Sequence, residues 1–198
     1  GLAQRLAELL GHPVQLGWLV SPPRSTRKPV VLVFAPDGTH RALAKLGADP
    51  LTDELVRREA SALHHLEEVD TGPLRAPRVL HDGEWSGHPI VVQEALAPLP
   101  PVRREGLGIA EVVEAVALTG EITVAPLAGS SYADELLARL RDLGDDGAGR
   151  VAELLGDQLD GGPVSFGAWH GDLNPGNLER GRRRALVWDW ERYELGRP

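Results

Sequence analysis

Cysteine and methionine are both absent from this chain of 198 residues. Without cysteine there can be no disulfide, no thiolate nucleophile and no cysteine-ligated metal. No stretch approaches the roughly 18 consecutive apolar residues of a membrane span, and the N-terminus lacks a secretory pattern. Positive charge is short as well. The formal net charge of -8 argues against a nucleic-acid partner, because phosphate contacts favour a basic surface. A cytoplasmic protein with neither a nucleic-acid nor a membrane partner is the expectation. Two residue types are rare rather than missing: lysine occurs only as Lys28 and Lys45, and asparagine only as Asn174 and Asn177. With Gly1 at its start and the pair Arg197-Pro198 at its end, the sequence is expected to be part of a longer chain.

What remains is ordinary for a globular protein, at 42% hydrophobic and 25% charged residues. Such a chain can bury a substantial core as one domain or two small lobes. Leucines 2, 6, 9 and 10 predict a short amphipathic helix. Strands are predicted over Val14 to Val20, Val30 to Ala35 and Thr39 to Leu46, the last two joined by the turn Pro36-Asp37-Gly38. After Asp49-Pro50 a helix is predicted from Thr52 to Glu68, with Leu51, Leu55, Val56, Leu63 and Leu66 on its apolar face. Two more strands, Val79 to Glu84 and Pro89 to Gln93, flank Trp85-Ser86-Gly87. The proline-rich stretch from Ala97 to Pro101 reads as a linker, which puts the lobe boundary between residues 96 and 97. Helices are predicted over Ala110 to Leu118, Tyr132 to Leu143 and Gly149 to Leu159, with Asp145-Asp146 as a solvated helix end. The second half is thus expected to be helical, with a short β-hairpin near its end.

That hairpin region carries the chemistry. Both asparagines fall in His170-Gly171-Asp172-Leu173-Asn174-Pro175-Gly176-Asn177-Leu178. Asp189 follows at the end of the apolar run Ala185-Leu186-Val187-Trp188. Phosphoryl transfer from a magnesium nucleotide needs such a set: one carboxylate to take the acceptor's proton, and an amide and a second carboxylate for the metal. Asp172 is the candidate base. Asn177 offers a neutral amide oxygen to a hard cation, and Asp189 a charged one. His170 is expected to brace the loop, and Asn174 to serve as a turn residue. Trp169, Trp188 and Trp190 are expected to pack the loop and strand, with base stacking as the alternative, and Glu191 is a candidate for the surroundings of the metal. Lys45, inside a strand, is a compact charge able to reach nucleotide phosphates, with Glu59 as its candidate helix partner.

Together these residues resemble the aminoglycoside phosphotransferase family of small-molecule kinases, through the stretch from His170 to Leu178, through Val187-Trp188-Asp189-Trp190-Glu191, and through Lys45, Glu59 and the hinge-like Val91-Val92-Gln93-Glu94-Ala95-Leu96. The resemblance implies an α+β, two-lobed protein-kinase-like fold, with an antiparallel-sheet N-lobe over residues 1–96 and a partial, helical C-lobe over 97–198. It further implies that Lys45 binds nucleotide phosphates and Glu59 holds it. Asp172 would be the catalytic base, Asn177 and Asp189 the magnesium ligands, and the backbone of Glu94, Ala95 and Leu96 the adenine site of ATP or GTP. Gly171 stands where protein kinases carry arginine, which favours a small-molecule hydroxyl acceptor. The stretch from Ser21 to Pro29 has no Gly-x-Gly-x-x-Gly, so phosphate cover is expected from Ser25, Thr26 and Lys28. The rival expectation is a nucleotide-binding pseudokinase with a regulatory role.

Overall fold

The computed structural model describes residues 1–20, 22–23, 25–100, 106–144, 146–158 and 162–198. Ser21 and Arg24 of the basic turn, Pro101 of the linker, Asp145 and Leu159 lie outside them. The chain divides into two compact units, Gly1–Val112 with His170–Tyr193, and Val113–Trp169 with Glu194–Pro198. The expected boundary after residue 96 falls inside the first unit, which also takes in the segment carrying Asp172 and Asp189.

The first unit opens with α1 (Leu2–Leu10), stopped by Gly11 in the left-handed conformation. Strands β1 (Gln15–Leu19), β2 (Val30–Phe34) and β3 (His40–Leu46) follow, then helix α2 (Pro50–Glu68). Next come β4 (Leu74–Arg75), β5 (Val79–Trp85) and β6 (His88–Glu94). Five of these strands form an antiparallel sheet in the order β1-β2-β3-β6-β5. Alternation along its strands sorts two apolar faces. Val31, Val33, Ala42, Ala44, Ile90 and Val92 pack with Leu6 of α1 on one face, while Val91 packs with Val56 and Ala60 of α2 on the other. The sheet is therefore covered on both sides.

Helix α2 starts two residues before its predicted first residue because Asp49 and Thr52 form a capping box, with Pro50 in the first turn. The Asp49 carboxylate accepts from the Thr52 N–H at 2.8 Å, and the Thr52 hydroxyl accepts from the Asp49 N–H at 3.0 Å. Leu55, Val56, Leu63 and Leu66 are buried as the periodicity predicts, whereas Leu51 is 48% exposed.

After helix α3 (Ile109–Ala117), the second unit adds β7 (Thr123–Pro126), α4 (Ser131–Asp142), α5 (Asp146–Gln158) and β8 (Pro163–Trp169). The chain then returns to the first unit for β9 (Leu178–Arg180) and β10 (Ala185–Val187), and ends in the second with β11 (Glu194–Arg197). β9 and β10 are the expected hairpin, and β10 also pairs parallel with β4. Beyond the expected helices and hairpin, the second unit contains a sheet that was not expected. Strands β11, β8 and β7 form a three-stranded sheet in that order. Val164, Phe166 and Ala168 show the period of two that marks β8, but a short run interrupted by Gly167 is ambiguous until its partners are known. None of the helices among the described residues is long and apolar enough to cross a membrane.

Candidate active site

Strand register puts the first candidate side chain in place. Lys45 pairs opposite Val91 and Val30, while Leu43 pairs opposite Gln93. Directly paired residues share a face, so Lys45 and Gln93 project on the side of Val91, where α2 lies. Glu59, one residue before the buried Ala60, meets them there. Lys45 Nζ donates to Glu59 Oε1 at 2.5 Å, and Gln93 Nε2 donates to the same oxygen at 3.3 Å. Glu59 is 0% exposed, and its Oε2 is buried without a hydrogen bond. Gln93 is not among the side chains singled out from the sequence, although a lone amide near the end of an apolar strand is the available signal.

Lys45 Nζ also donates to Asp189 Oδ1 at 2.6 Å. Burial drives the Lys45 ammonium toward a lower pKa, but Glu59 and Asp189 outweigh it and the net shift is upward. Asp189 lies just beyond β10 with φ 69°, a left-handed conformation that aspartate tolerates better than most residues. Lys28 pairs with Glu191 and stands 3.7 Å from Asp189 Oδ1. Lys28 and Glu191 are both buried. Carboxylate oxygens of Glu59, Asp189 and Glu191 lie within 4.8 Å of one another. Buried oxygen donors so clustered, outnumbering the two ammonium groups and leaving Glu59 Oε2 unbonded, suit a hard divalent cation.

The loop after β8 supplies the second group. Asn174 Nδ2 donates to Asp172 Oδ1 at 3.0 Å, and Asn177 Nδ2 donates to Asp172 Oδ2 at 3.3 Å and to the Asp172 carbonyl at 2.9 Å. Both rare asparagines therefore orient the Asp172 carboxylate. The expectation of Asn174 as a turn residue was incomplete, though its Oδ1 does accept from the Gly176 N–H at 2.7 Å. The Trp188 N–H donates to the Asn177 carbonyl at 3.2 Å, tying this loop to the segment that carries Asp189.

His170 is the brace between them. Its Nδ1 accepts from the Asp172 N–H at 3.3 Å, which leaves Nε2–H to donate to the Trp188 carbonyl at 3.1 Å. The ring lies 4.5 Å from that of Trp190, which is fully buried. Burial holds the imidazole below its ordinary pKa, against opposing contributions from the Trp188 carbonyl and the carboxylates of Asp189 and Asp172. Gly171 has φ 78°, and a Cβ there would meet the Arg192 carbonyl oxygen at 2.4 Å. Only glycine fits, so an arginine could not stand here without moving the backbone.

Glu94, Ala95 and Leu96 line a cavity of about 230 Å³ together with Lys45, Leu186 and Trp188. The Glu94 and Ala95 N–H groups are taken by the carbonyls of Arg78 and Arg41. The Glu94 carboxylate is held by Arg75 and, at 2.7 Å, by Arg78 Nε. Trp188 thus lines a cavity, a position open to the base stacking held as the alternative to packing. Every candidate site residue named from the sequence falls in the first unit.

No protein-family model matches the sequence, and no curated protein does. Solved structures match it well. A protein described as a fructosamine-3-kinase from Haemophilus somnus 129PT aligns with a TM-score of 0.61 at 17% identity, over 94% of this chain and 70% of that one. The GDP complex of a mutant aminoglycoside 2'-phosphotransferase IIIa gives 0.57 at 15% identity, over 93% and 68%. The GDP and kanamycin complex of APH(2'')-IIIa gives 0.57 at 12% identity, over 93% and 69%. The fold is therefore the kinase-like one implied by the sequence motifs, an antiparallel sheet combined with helices.

Proposed function

We propose that this protein is an ATP- and magnesium-dependent phosphotransferase acting on a hydroxyl of a small molecule. The observation that carries the reading is a convergence within one compact unit. The ion-paired chain Glu59–Lys45–Asp189, the Asp172–Asn177 loop and a cavity reaching from Glu94 to Lys45 all meet there. In this reading the cavity takes the base, with Trp188 as one wall. Lys45 holds the nucleotide phosphates, and Glu59 and Gln93 fix Lys45. Asp189 and Asn177 hold magnesium through carboxylate and amide oxygens. When bound, the magnesium nucleotide supplies the transferable phosphoryl group and the cation that neutralises charge developing on it. Asp172, oriented by both asparagines, accepts the proton of the acceptor hydroxyl. His170 keeps Asp172 and Asp189 in register through its two ring nitrogens. Kinase-like structural neighbours support the reaction class, and a cytoplasmic location belongs to the same reading.

The glycine-free stretch from Ser21 to Pro29 favours one rival, a nucleotide-binding pseudokinase. One comparison separates the two. Wild-type protein is expected to release phosphate slowly from ATP with magnesium, and Asp172→Ala to lose that turnover while keeping nucleotide binding. Binding is read by thermal shift, since ligand at about 100 times its Kd stabilises by roughly 2.7 kcal/mol. Wild-type-like turnover in Asp172→Ala would remove Asp172 from the mechanism, and binding without turnover in the wild type would leave the pseudokinase. Acceptor screening begins with aminoglycosides and glycated amines, the ligand classes named for the structural neighbours.

A further inference from the structure

Lys28 sits at the root of the stretch expected to cover the phosphates. The Leu46 N–H donates to the carbonyl of Pro29 at 3.0 Å, and Val30 pairs opposite Lys45. Lys28 comes two residues before Val30, and its ammonium stands beside the same Asp189 oxygen that Lys45 contacts. The Lys28 ammonium accordingly lies with Lys45, and its side chain is only 5% exposed. Asp189 and Glu191, its acidic partners among the described residues, belong to the carboxylate cluster that suits a cation. A buried carboxylate pair is costly without an opposite charge, and here a side chain of the protein provides one.

We infer that Lys28 is a built-in stand-in for the divalent cation. In the nucleotide-free protein its ammonium occupies the cation position beside Asp189 and Glu191, and arriving phosphates draw it off as the metal enters. Among the described residues, with Lys28 in place the cluster holds three carboxylates against two ammonium groups. Exchange of one ammonium for a divalent cation makes it neutral. Cation and nucleotide then load together, because the nucleotide provides the negative charge to which Lys28 moves. A lysine suits this exchange better than an arginine, being a compact charge on a flexible stem. The inference rests on the phosphotransferase reading for the phosphates, but its metal half stands independently.

The test titrates Mn²⁺ alone into nucleotide-free protein and reads free Mn²⁺ by electron paramagnetic resonance. Lys28→Met and Lys28→Gln are expected to bind Mn²⁺ about tenfold more tightly than wild type. Arg27→Met removes an exposed charge one residue away and should change affinity less than threefold. A gain below threefold in both Lys28 variants, or an equal gain in Arg27→Met, overturns the proposal. Should the Lys28 variants fail to fold, amine labelling of the wild type decides. Lys28 and Lys45 are the only lysines, so mass spectrometry reads each separately. Lys28 is expected to be protected in the metal-free protein and to gain at least threefold in labelling rate on Mn²⁺ addition; an unchanged rate counts against it. A protein that binds no nucleotide in the thermal-shift measurement defeats the phosphotransferase reading, yet the Mn²⁺ titration still decides the role of Lys28.

Discussion

Removing Lys45 tests the central ion pairs most directly. In Lys45→Met the fully buried Glu59 carboxylate loses a donor at 2.5 Å and keeps only Gln93 Nε2 at 3.3 Å. Breaking a buried pair from one side costs about 3–5 kcal/mol, because a charge is left uncompensated. That is a large share of the roughly 5–15 kcal/mol that holds a domain folded. Replacing both partners removes the stranded charge, so Lys45→Met/Glu59→Gln should recover most of the loss and come within about 1–2 kcal/mol of wild type. Asp189 retains Lys28 nearby in either variant. The assay is urea denaturation without metal or nucleotide, with the three proteins compared at equal slope. A single variant within about 1 kcal/mol of wild type, or a double variant no more stable than the single, would refute an uncompensated buried carboxylate as the cause.

Other consequences are equally checkable. Gly171→Ala should lose more than about 2 kcal/mol by urea denaturation, combining left-handed strain of about 1–2 kcal/mol with the collision at the Arg192 carbonyl; near-wild-type stability would show that the loop yields. Asp189→Asn should be more stable than Asp189→Ala by about 1 kcal/mol, since asparagine accepts the left-handed backbone, while both lose magnesium-dependent nucleotide binding in a thermal shift. His170 has a folded pKa below its unfolded value near 6.5, so below about pH 6.5 the unfolded chain binds more protons. Stability should therefore fall as pH drops through that window and level off beneath the folded pKa. His170→Gln should flatten the profile on the acid side of about pH 6.5, and an unchanged slope would assign the decline to other groups.

The parts legible in the sequence are those fixed by local chemistry. Asp49-Pro50 with Thr52 marks the start of α2, and the period of two in β2 and β3 marks the sheet. Rare residues in a glycine- and proline-rich loop mark Asp172 and Asn177. The contacts that make these residues a site run between distant segments: Lys45 reaches Asp189 across 144 positions, and no local pattern encodes that. The same limit hid β8 and β11, whose strand character rests on partners far along the chain. Glu94 illustrates a different gap. Its place at the hinge was readable, but its N–H is committed to Arg78 and its carboxylate to two arginines, which only the folded register reveals.

The short segment Leu74–Arg78 ties several parts of the first unit together. Leu74 and Arg75 pair with Ala185 and Leu186, three to four residues before Asp189. Arg75 and Arg78 clamp the Glu94 carboxylate, and the end of α2 lies six residues before Leu74. The helix bearing Glu59, the rim of the cavity and the strand leading to Asp189 are thus moored to one post. A single stretch of five residues therefore fixes both the Glu94 rim of the cavity and the strand that leads to Asp189.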